Sequence, residues 1–352
     1  MATYFMVAVL AAGVSFGLTA WFRALAIKRG IFTPAVVDRD SHRLPTPRIG
    51  GLALVVSFLL ITGLWLIWRP EQLTLGNRQI LGLDSHLLGL LVAIVFMTMI
   101  NLADDRIGVH YRIKLFGQII AAGVIVISGI SIQSLTNPFG GILIIGQWSP
   151  LLVILWLVIM MNVTNWLDGL NGLAGGVGLI ALVVILTLAL RPTVAQPEVA
   201  LMAAIGIGAV VGFLPHNLLG RVFLGDTGSV FLGLLIGVLA IISGGKVATA
   251  FLVMAIPLLD GAVVFFSRIV SGQSPFIGDR RHLHHRLLAI GWRPSQIVGL
   301  FYSVSLLFGL IALNSQAIGK FWAILAALGL MGGLIALTTM AGKIVERDQI
   351  DG

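Results

Sequence analysis

The sequence predicts an all-α, polytopic integral membrane protein with about eleven transmembrane helices. Three observations predict it. Hydrophobic residues make up 58% of the 352 and charged residues only 10%, against about 25% in soluble domains. Long apolar stretches recur from one end of the chain to the other. The basic residues between them segregate onto alternate loops.

A span takes roughly 20 apolar residues. The candidates lie near 3–23, 50–68, 87–103, 112–130, 150–166, 172–190, 199–215, 229–243, 247–267, 297–314 and 321–341. Residues 1–22 hold no Lys or Arg, whereas a cleavable signal peptide needs a basic start, so the first stretch is expected to be a retained helix. Trp65, Trp68 and Arg69 close the second as an interfacial anchor. The fifth and eighth are short and are expected to be tilted, broken or locally thinning the bilayer. Pro257 predicts a kink in the ninth. No loop is long enough for a separate soluble domain, so residues 1–352 read as one transmembrane domain.

With loops assigned alternately to two sides, 17 of the 22 basic residues share one side. Arg69, Arg78, Arg191, Lys246 and Lys320 lie on the other. The positive-inside rule makes the first side cytoplasmic, with the N-terminus outside and the C-terminus inside. Asp104, Asp105, Asp168, Asp226 and Asp279 then fall on the cytoplasmic side, with six of the seven histidines. Chemistry is expected there, in the inner (plasma) membrane. The net charge of +8 is scattered between apolar spans, so the expected partner is the bilayer and not nucleic acid. The absence of cysteine excludes disulfides and thiolate metal sites.

Five polar constellations interrupt the apolar pattern. At residues 99–115, MINLADDRIGVHYRIKL sets Asp104 beside Asp105 where a span ends, with Lys114 nearby. Adjacent carboxylates repel, and an acid at a membrane is costly. Paired acids with an ammonium suit a Mg2+–phosphate site; a solvated loop with an Asp cap explains them equally well. At 162–176, NVTNWLDGLNGLAGG spaces Asn162, Asn165, Asp168 and Asn171 by three, along one helix face, amid glycines that admit a ligand. Capping accounts for one or two of these four, not all. At 223–229, FLGDTGS reads most simply as a tight turn with an acidic cap. The functional alternative is Asp226 as a metal ligand at a span mouth.

At 278–287, GDRRHLHHRL combines His282, His284 and His285 with Arg280, Arg281 and Arg286. This suits a pyrophosphate gripped by arginines. A basic patch for anionic lipid is the alternative, and zinc is disfavoured by the HxHH spacing. At 38–51, DRDSHRLPTPRIGG reads as an ordered loop of no evident chemistry. Asp260, after Pro257, is an intramembrane acid and hence a site candidate, or the partner of an arginine on another helix.

Acids for a divalent cation, arginines and histidines for phosphate, and amides for hydrogen bonding thus meet at one membrane face. They point to a phosphorylated, nucleotide-linked substrate, a lipid co-substrate and phosphoryl transfer. A secondary transporter is the rival from another class. It places its site near the midplane between repeats, and no repeat is visible here. A lipid-binding scaffold is the third reading, and it leaves the asparagines and acids unexplained.

NLADD, NVTNWLDGLNGLAGG, FLGDTGS and DRRHLHHRL, in this order, resemble the polyprenyl-phosphate N-acetylhexosamine-1-phosphate transferases. The resemblance runs from PTPRIGG at 45–51 to about residue 290. The HLHH form resembles the branch that uses UDP-N-acetylglucosamine and undecaprenyl phosphate. The phospho-N-acetylmuramoyl-pentapeptide branch typically has ten spans and a longer histidine run. The resemblance implies transfer of N-acetylglucosamine 1-phosphate to undecaprenyl phosphate with release of UMP, an early membrane step of cell-surface polysaccharide synthesis. UDP-GalNAc and UDP-MurNAc-pentapeptide are alternative donors. It also implies a Mg2+ cofactor, with Mn2+ as the substitute, and it is compatible with a homodimer.

By motif position, the resemblance gives Asp226 and Asn165 to the metal and Lys114 to the lipid phosphate. Asp104 or Asp105 then positions or deprotonates that phosphate, and Asp168 organises the Asn–Gly loop or bonds the nucleotide. Arg280, Arg281, His282, His284 and His285 are implied to hold the pyrophosphate and sugar. Many members have Asp where Asn171 stands, so Asn171 is expected to contact the nucleotide and not to act as an acid.

Overall fold

A computed structural model describes residues 1–31, 46–76, 78–243, 247–273 and 281–350. Its helices are α1 (Ala2–Arg29), α2 (Gly50–Trp68), α3 (Ser85–Ile107), α4 (Tyr111–Ile127), α5 (Ser149–Leu167), α6 (Leu173–Ala189) and α7 (Pro197–Leu218). They continue with α8 (Gly225–Ile242), α9 (Val247–Val253), α10 (Ala255–Val270), α11 (Leu283–Ala289), α12 (Pro294–Asn314) and α13 (Ala317–Ile350). Two antiparallel ribbons qualify the all-α expectation. β1 (Gln79–Ile80) pairs with β2 (Leu83–Asp84), and β3 (Ser134–Thr136) pairs with β4 (Ile142–Ile144).

Among the described residues, eight helices are long and apolar enough to cross a bilayer. They are α1, α2, α3, α5, α7, α8, α12 and α13. The chain is a multi-pass membrane protein. Each of the eleven expected stretches overlaps a helix, yet they are not eleven equivalent spans. α4 and α6 have 17 residues each, the lower limit of about 17–25 for a span. The ninth stretch is broken into α9 and α10, bent by 82°, so a single expected span is corrected to a bent pair. The break falls at Met254, within one turn before Pro257, whose ring nitrogen has no N–H for the carbonyl of Val253. The fifth and eighth stretches are longer than expected, at 19 residues in α5 and 18 in α8.

α8 is the hub. Its span is 89% buried within the protein, against 22% for α1 at the rim. Lipid supplies no hydrophobic drive between helices, so close backbone approach must hold them together. Gly208 and Gly212, four apart on α7, face α1, and a Cβ on either would collide with the carbonyl of Ala8 or Ala12. Ser15 Oγ donates to the Ala209 carbonyl at 2.6 Å across the same seam. On α8, Gly233 lies against the Met160 carbonyl of α5, and Trp156 Nε1 donates to the Gly237 carbonyl at 3.1 Å. α3 also packs on α8, and the ends of α3, α5 and α8 meet in one place.

Candidate active site

Four carboxylates meet at the N-terminus of α8. Gly225 opens that helix with φ +71°, a conformation glycine adopts without strain. The first N–H groups of any helix lack partners inside it. Here other helices supply them. Asp168 Oδ2 accepts from the Gly225 N–H at 3.0 Å. Asp105 Oδ1 accepts from the Asp226 N–H at 3.1 Å. Asp105 Oδ2 accepts from the Thr227 N–H at 3.2 Å and the Thr227 hydroxyl at 2.8 Å.

Asp104 faces elsewhere, because consecutive helical residues are about 100° apart. Its Oδ1 accepts from the Val109 N–H at 2.6 Å, and its Oδ2 from Lys114 Nζ at 2.8 Å. The same ammonium also bonds Asp226 Oδ2. Lys114, in the first turn of α4, therefore ties α3 to α8. Asn165, in the last turn of α5, donates to Ser229 Oγ at 3.1 Å and also hydrogen-bonds Asp226.

The surrounding loops fix this cluster. Gly50 and Gly51 donate to the carbonyls of Phe223 and Leu224 at 3.0 and 2.9 Å, and the Phe223 N–H donates to Pro47 at 3.0 Å. Residues 46–51 of the PTPRIGG segment thus form a backbone clamp on the FLGD loop; residues 38–45 lie outside the described residues. Gly172, at φ +84°, donates to Asn217 Oδ1 at 2.7 Å and accepts from the Tyr302 hydroxyl at 2.6 Å.

The histidine segment joins from the other side. Asp260 Oδ2 lies 2.8 Å from His282 Nδ1, and Asp260 Oδ1 accepts from the Leu283 N–H at 2.9 Å. The intramembrane acid thus has a histidine partner. The carboxylate places the proton on Nδ1 and sets the ring's orientation. The His284 ring packs against Gly169, where a Cβ would collide with it. His284 thereby reaches the loop that carries Asp168. The His285 ring packs on His284 at a tilt, with centroids 4.2 Å apart.

Burial holds the His284 imidazole down to about 3, and His285 and His282 add to the shift. At neutral pH His284 is therefore an uncharged member of the expected anion-binding cluster. Burial pushes the Asp168 carboxyl well above its ordinary range, and the Asp226 charge adds to it. The Gly225 N–H and Arg48 pull in the opposite direction. Even with Asp168 protonated, Asp104 and Asp226 share the single ammonium of Lys114, and Asp105 sits beside them on the N–H groups of Asp226 and Thr227. A further cation would be welcome.

Among the described residues no three acidic or histidine side chains form a ready-made metal cage. Mg2+ takes one or two carboxylates and completes its shell with water and substrate phosphate. Asp226 and Asn165 offer hard oxygens side by side. Asp105 commits both oxygens, and Asp168 its Oδ2, to the start of α8.

The profile of glycosyl transferase family 4 matches residues 87–244, which include all four carboxylates. A decaprenyl-phosphate N-acetylglucosaminephosphotransferase of Mycolicibacterium smegmatis is 34% identical, over 89% of this chain and 81% of that protein. The chain belongs to glycosyl transferase family 4. A probable undecaprenyl-phosphate N-acetylglucosaminyl 1-phosphate transferase of Bacillus subtilis is 28% identical, over 84% of this chain and 80% of that protein. An undecaprenyl-phosphate alpha-N-acetylglucosaminyl 1-phosphate transferase of Yersinia pestis is 26% identical, over 84% and 79%.

Of the residues expected from sequence, Asp104, Asp105, Lys114, Asn165, Asp168 and Asp226 form one connected cluster in this family 4 chain. His284 adjoins it through Gly169. Asn171 is half-buried in the same loop. Arg281 donates to Gln273 Oε1 at 2.9 Å, and its carbonyl accepts from Arg286 Nε at 2.7 Å. Arg280 and Asp279 lie outside the described residues. Sequence reasoning missed Asn217, Thr227, Tyr302 and Arg48. Asn217 carried a usable signal, since a lone amide at the end of an apolar span must find a partner.

Proposed function

We propose that this chain transfers N-acetylglucosamine 1-phosphate from UDP-N-acetylglucosamine to a polyprenyl phosphate, at the cytoplasmic face of the plasma membrane. The observation that carries the proposal is the Lys114 bridge between Asp104 and Asp226, at a helix start that two further acids organise. The names of the relatives support the lipid phosphate and the N-acetylglucosamine phosphate that is transferred, with decaprenyl and undecaprenyl as the lipid lengths. The one-sided basic loops support the orientation.

In this reading an oxygen of the lipid phosphate attacks the β-phosphorus of the UDP-sugar. The bond from that phosphorus to the bridging oxygen breaks, and UMP leaves with the oxygen. Lys114 holds the lipid phosphate, and Asp104 aims Lys114. A phosphate monoester has its second pKa near 6, so the nucleophile is already ionised at neutral pH and needs no base. Asp226 and Asn165 would hold Mg2+, or Mn2+ in its place, and the ion would neutralise pyrophosphate charge as UMP departs. Asp105 and Asp168 are positioning residues that set the start of α8, and so the aim of Asp226. Asn171 faces the nucleotide. His282, His285, Arg280 and Arg281 meet the pyrophosphate and sugar, with neutral His284 as a hydrogen-bond partner.

The test follows UMP from UDP-N-acetylglucosamine and undecaprenyl phosphate, with Mg2+ and with EDTA, beside Asp226→Asn. Magnesium-dependent release, lost in the variant, is expected. Release only from another UDP-sugar would keep the chemistry and change the donor. No release from any nucleotide sugar by folded protein would end the proposal.

A further inference from the structure

α4 stands at the rim of the bundle. Its outer face exposes Ile113, Phe116, Ile119, Ile120 and Ile127. Lipid on that side makes no directional contact, so the inner face sets where α4 sits. Lys114 and Gln118 lie four residues apart and hence on one side of this helix. Lys114 ends on Asp104 and Asp226. Gln118 is 2% exposed, and an amide so deep in an apolar bundle needs a partner. Asn162 of α5 supplies it, with Nδ2 donating to Gln118 Oε1 at 2.6 Å. Asn162 is the first of the four spaced polar residues in NVTNWLDGLNGLAGG, and it has no place in the transfer chemistry above.

A third group fixes the direction of this bond. Asn162 Nδ2 also donates to the Val158 carbonyl at 2.8 Å. A carbonyl only accepts, so the Asn162 amide cannot be turned round and Gln118 must present its oxygen.

Asn165 follows Asn162 by three residues on α5 and also hydrogen-bonds Asp226. The contacts therefore close a ring. Lys114 and Asn165 meet at Asp226, one turn of α5 leads from Asn165 to Asn162, the amide bond crosses to Gln118, and one turn of α4 returns to Lys114. A turn is about 5.4 Å, so the amide pair stands just behind the two groups that grip Asp226. Without the amide bond α4 could slide along α5 and carry Lys114 away from Asn165. With it, their separation is fixed.

We propose that Gln118 and Asn162 are positioning residues, whose bond keeps the Lys114 ammonium and the Asn165 amide at a set spacing around Asp226. That the spacing serves transfer rests on the proposed function; the spacing itself does not.

The test reads distance and turnover in full-length protein. The chain has no cysteine, so spin labels on Phe116→Cys of α4 and Leu155→Cys of α5, both exposed, are unique. Gln118→Met, close in size but without the acceptor, is expected to broaden the distance distribution between the labels. Without labels it is expected to lower kcat for UMP release about 10-fold, with KM for UDP-N-acetylglucosamine within about 2-fold of wild type. Gln118→Glu, whose carboxyl oxygen can accept the same bond, is expected to restore part of both. Asn162→Ala breaks the bond from the other side and decides if Gln118→Met fails to fold. An unchanged distribution would overturn the proposal whatever the activity, and so would a broadened one with wild-type kcat. A broadened distribution, in a protein whose wild type releases no UMP, would end the transferase reading and keep the brace.

Discussion

Lys114 holds carboxylates from two helices, and this resolves the oddity of two adjacent acids at a span end. Asp104 and Asp105 are neighbours in sequence but turn to different partners, one to an ammonium and one to the start of a helix. Removing Lys114 leaves Asp104 and Asp226 facing each other without their shared ammonium, and on the proposed function it removes the group assigned to the lipid phosphate. Lys114→Gln is expected to lower UMP release by about 100-fold or more, with Lys114→Arg recovering part of it. Equal turnover in wild type and Lys114→Gln would remove the residue from the mechanism. Gly169 makes a second prediction at this scale. A methyl group there meets the His284 ring. Gly169→Ala is therefore expected to weaken UDP-sugar use, seen as a raised KM, and to do so less in the His284→Ala background, where the ring is gone.

At the level of elements, α8 takes its N-terminal partners from α3 and from the loop after α5, across 121 and 57 residues of chain. Losing a cap costs about 0.5–2 kcal/mol. Asp105→Ala is expected to lower the melting temperature and to reduce kcat by misplacing Asp226. Asp105→Asn, which keeps an acceptor, is expected to retain more of both. Loss of activity in Asp105→Asn equal to that in Asp105→Ala would instead make its charge essential. The helices were legible beforehand because hydropathy alone sets a span. The break at Met254 was legible only approximately, since proline frees a carbonyl one turn back from itself. The ribbons were not, because strands of two or three residues carry no periodicity to read. The trans caps were invisible for a different reason. FLGDTGS reads locally as a turn with its own acidic cap, and only packing reveals that Asp105 and Asp168 do the capping.

For the whole molecule, the residue types of the site were legible and its electrostatics were not, because burial decides them. Asp168 and His284 are buried where their charged forms are disfavoured, and they act on stability with opposite signs. A histidine titrates near 6.5 when exposed, and His284 near 3 when folded. The unfolded chain then takes the proton first. Stability from His284 is full above about pH 6.5 and falls as pH drops toward 3, by about 1.4 kcal/mol per unit at most. Asp168 runs the other way. Its folded pKa lies above the ordinary 3.8, so its contribution is present at low pH and is lost as pH rises through the folded value. Asp168→Asn keeps an oxygen for the Gly225 N–H and removes the buried charge. It is therefore expected to raise the melting temperature at pH 8 and to leave it nearly unchanged at pH 4, while lowering turnover. Scanning calorimetry of both proteins at the two pH values checks this. A variant that gains nothing at pH 8 would show that folding does not raise the Asp168 pKa.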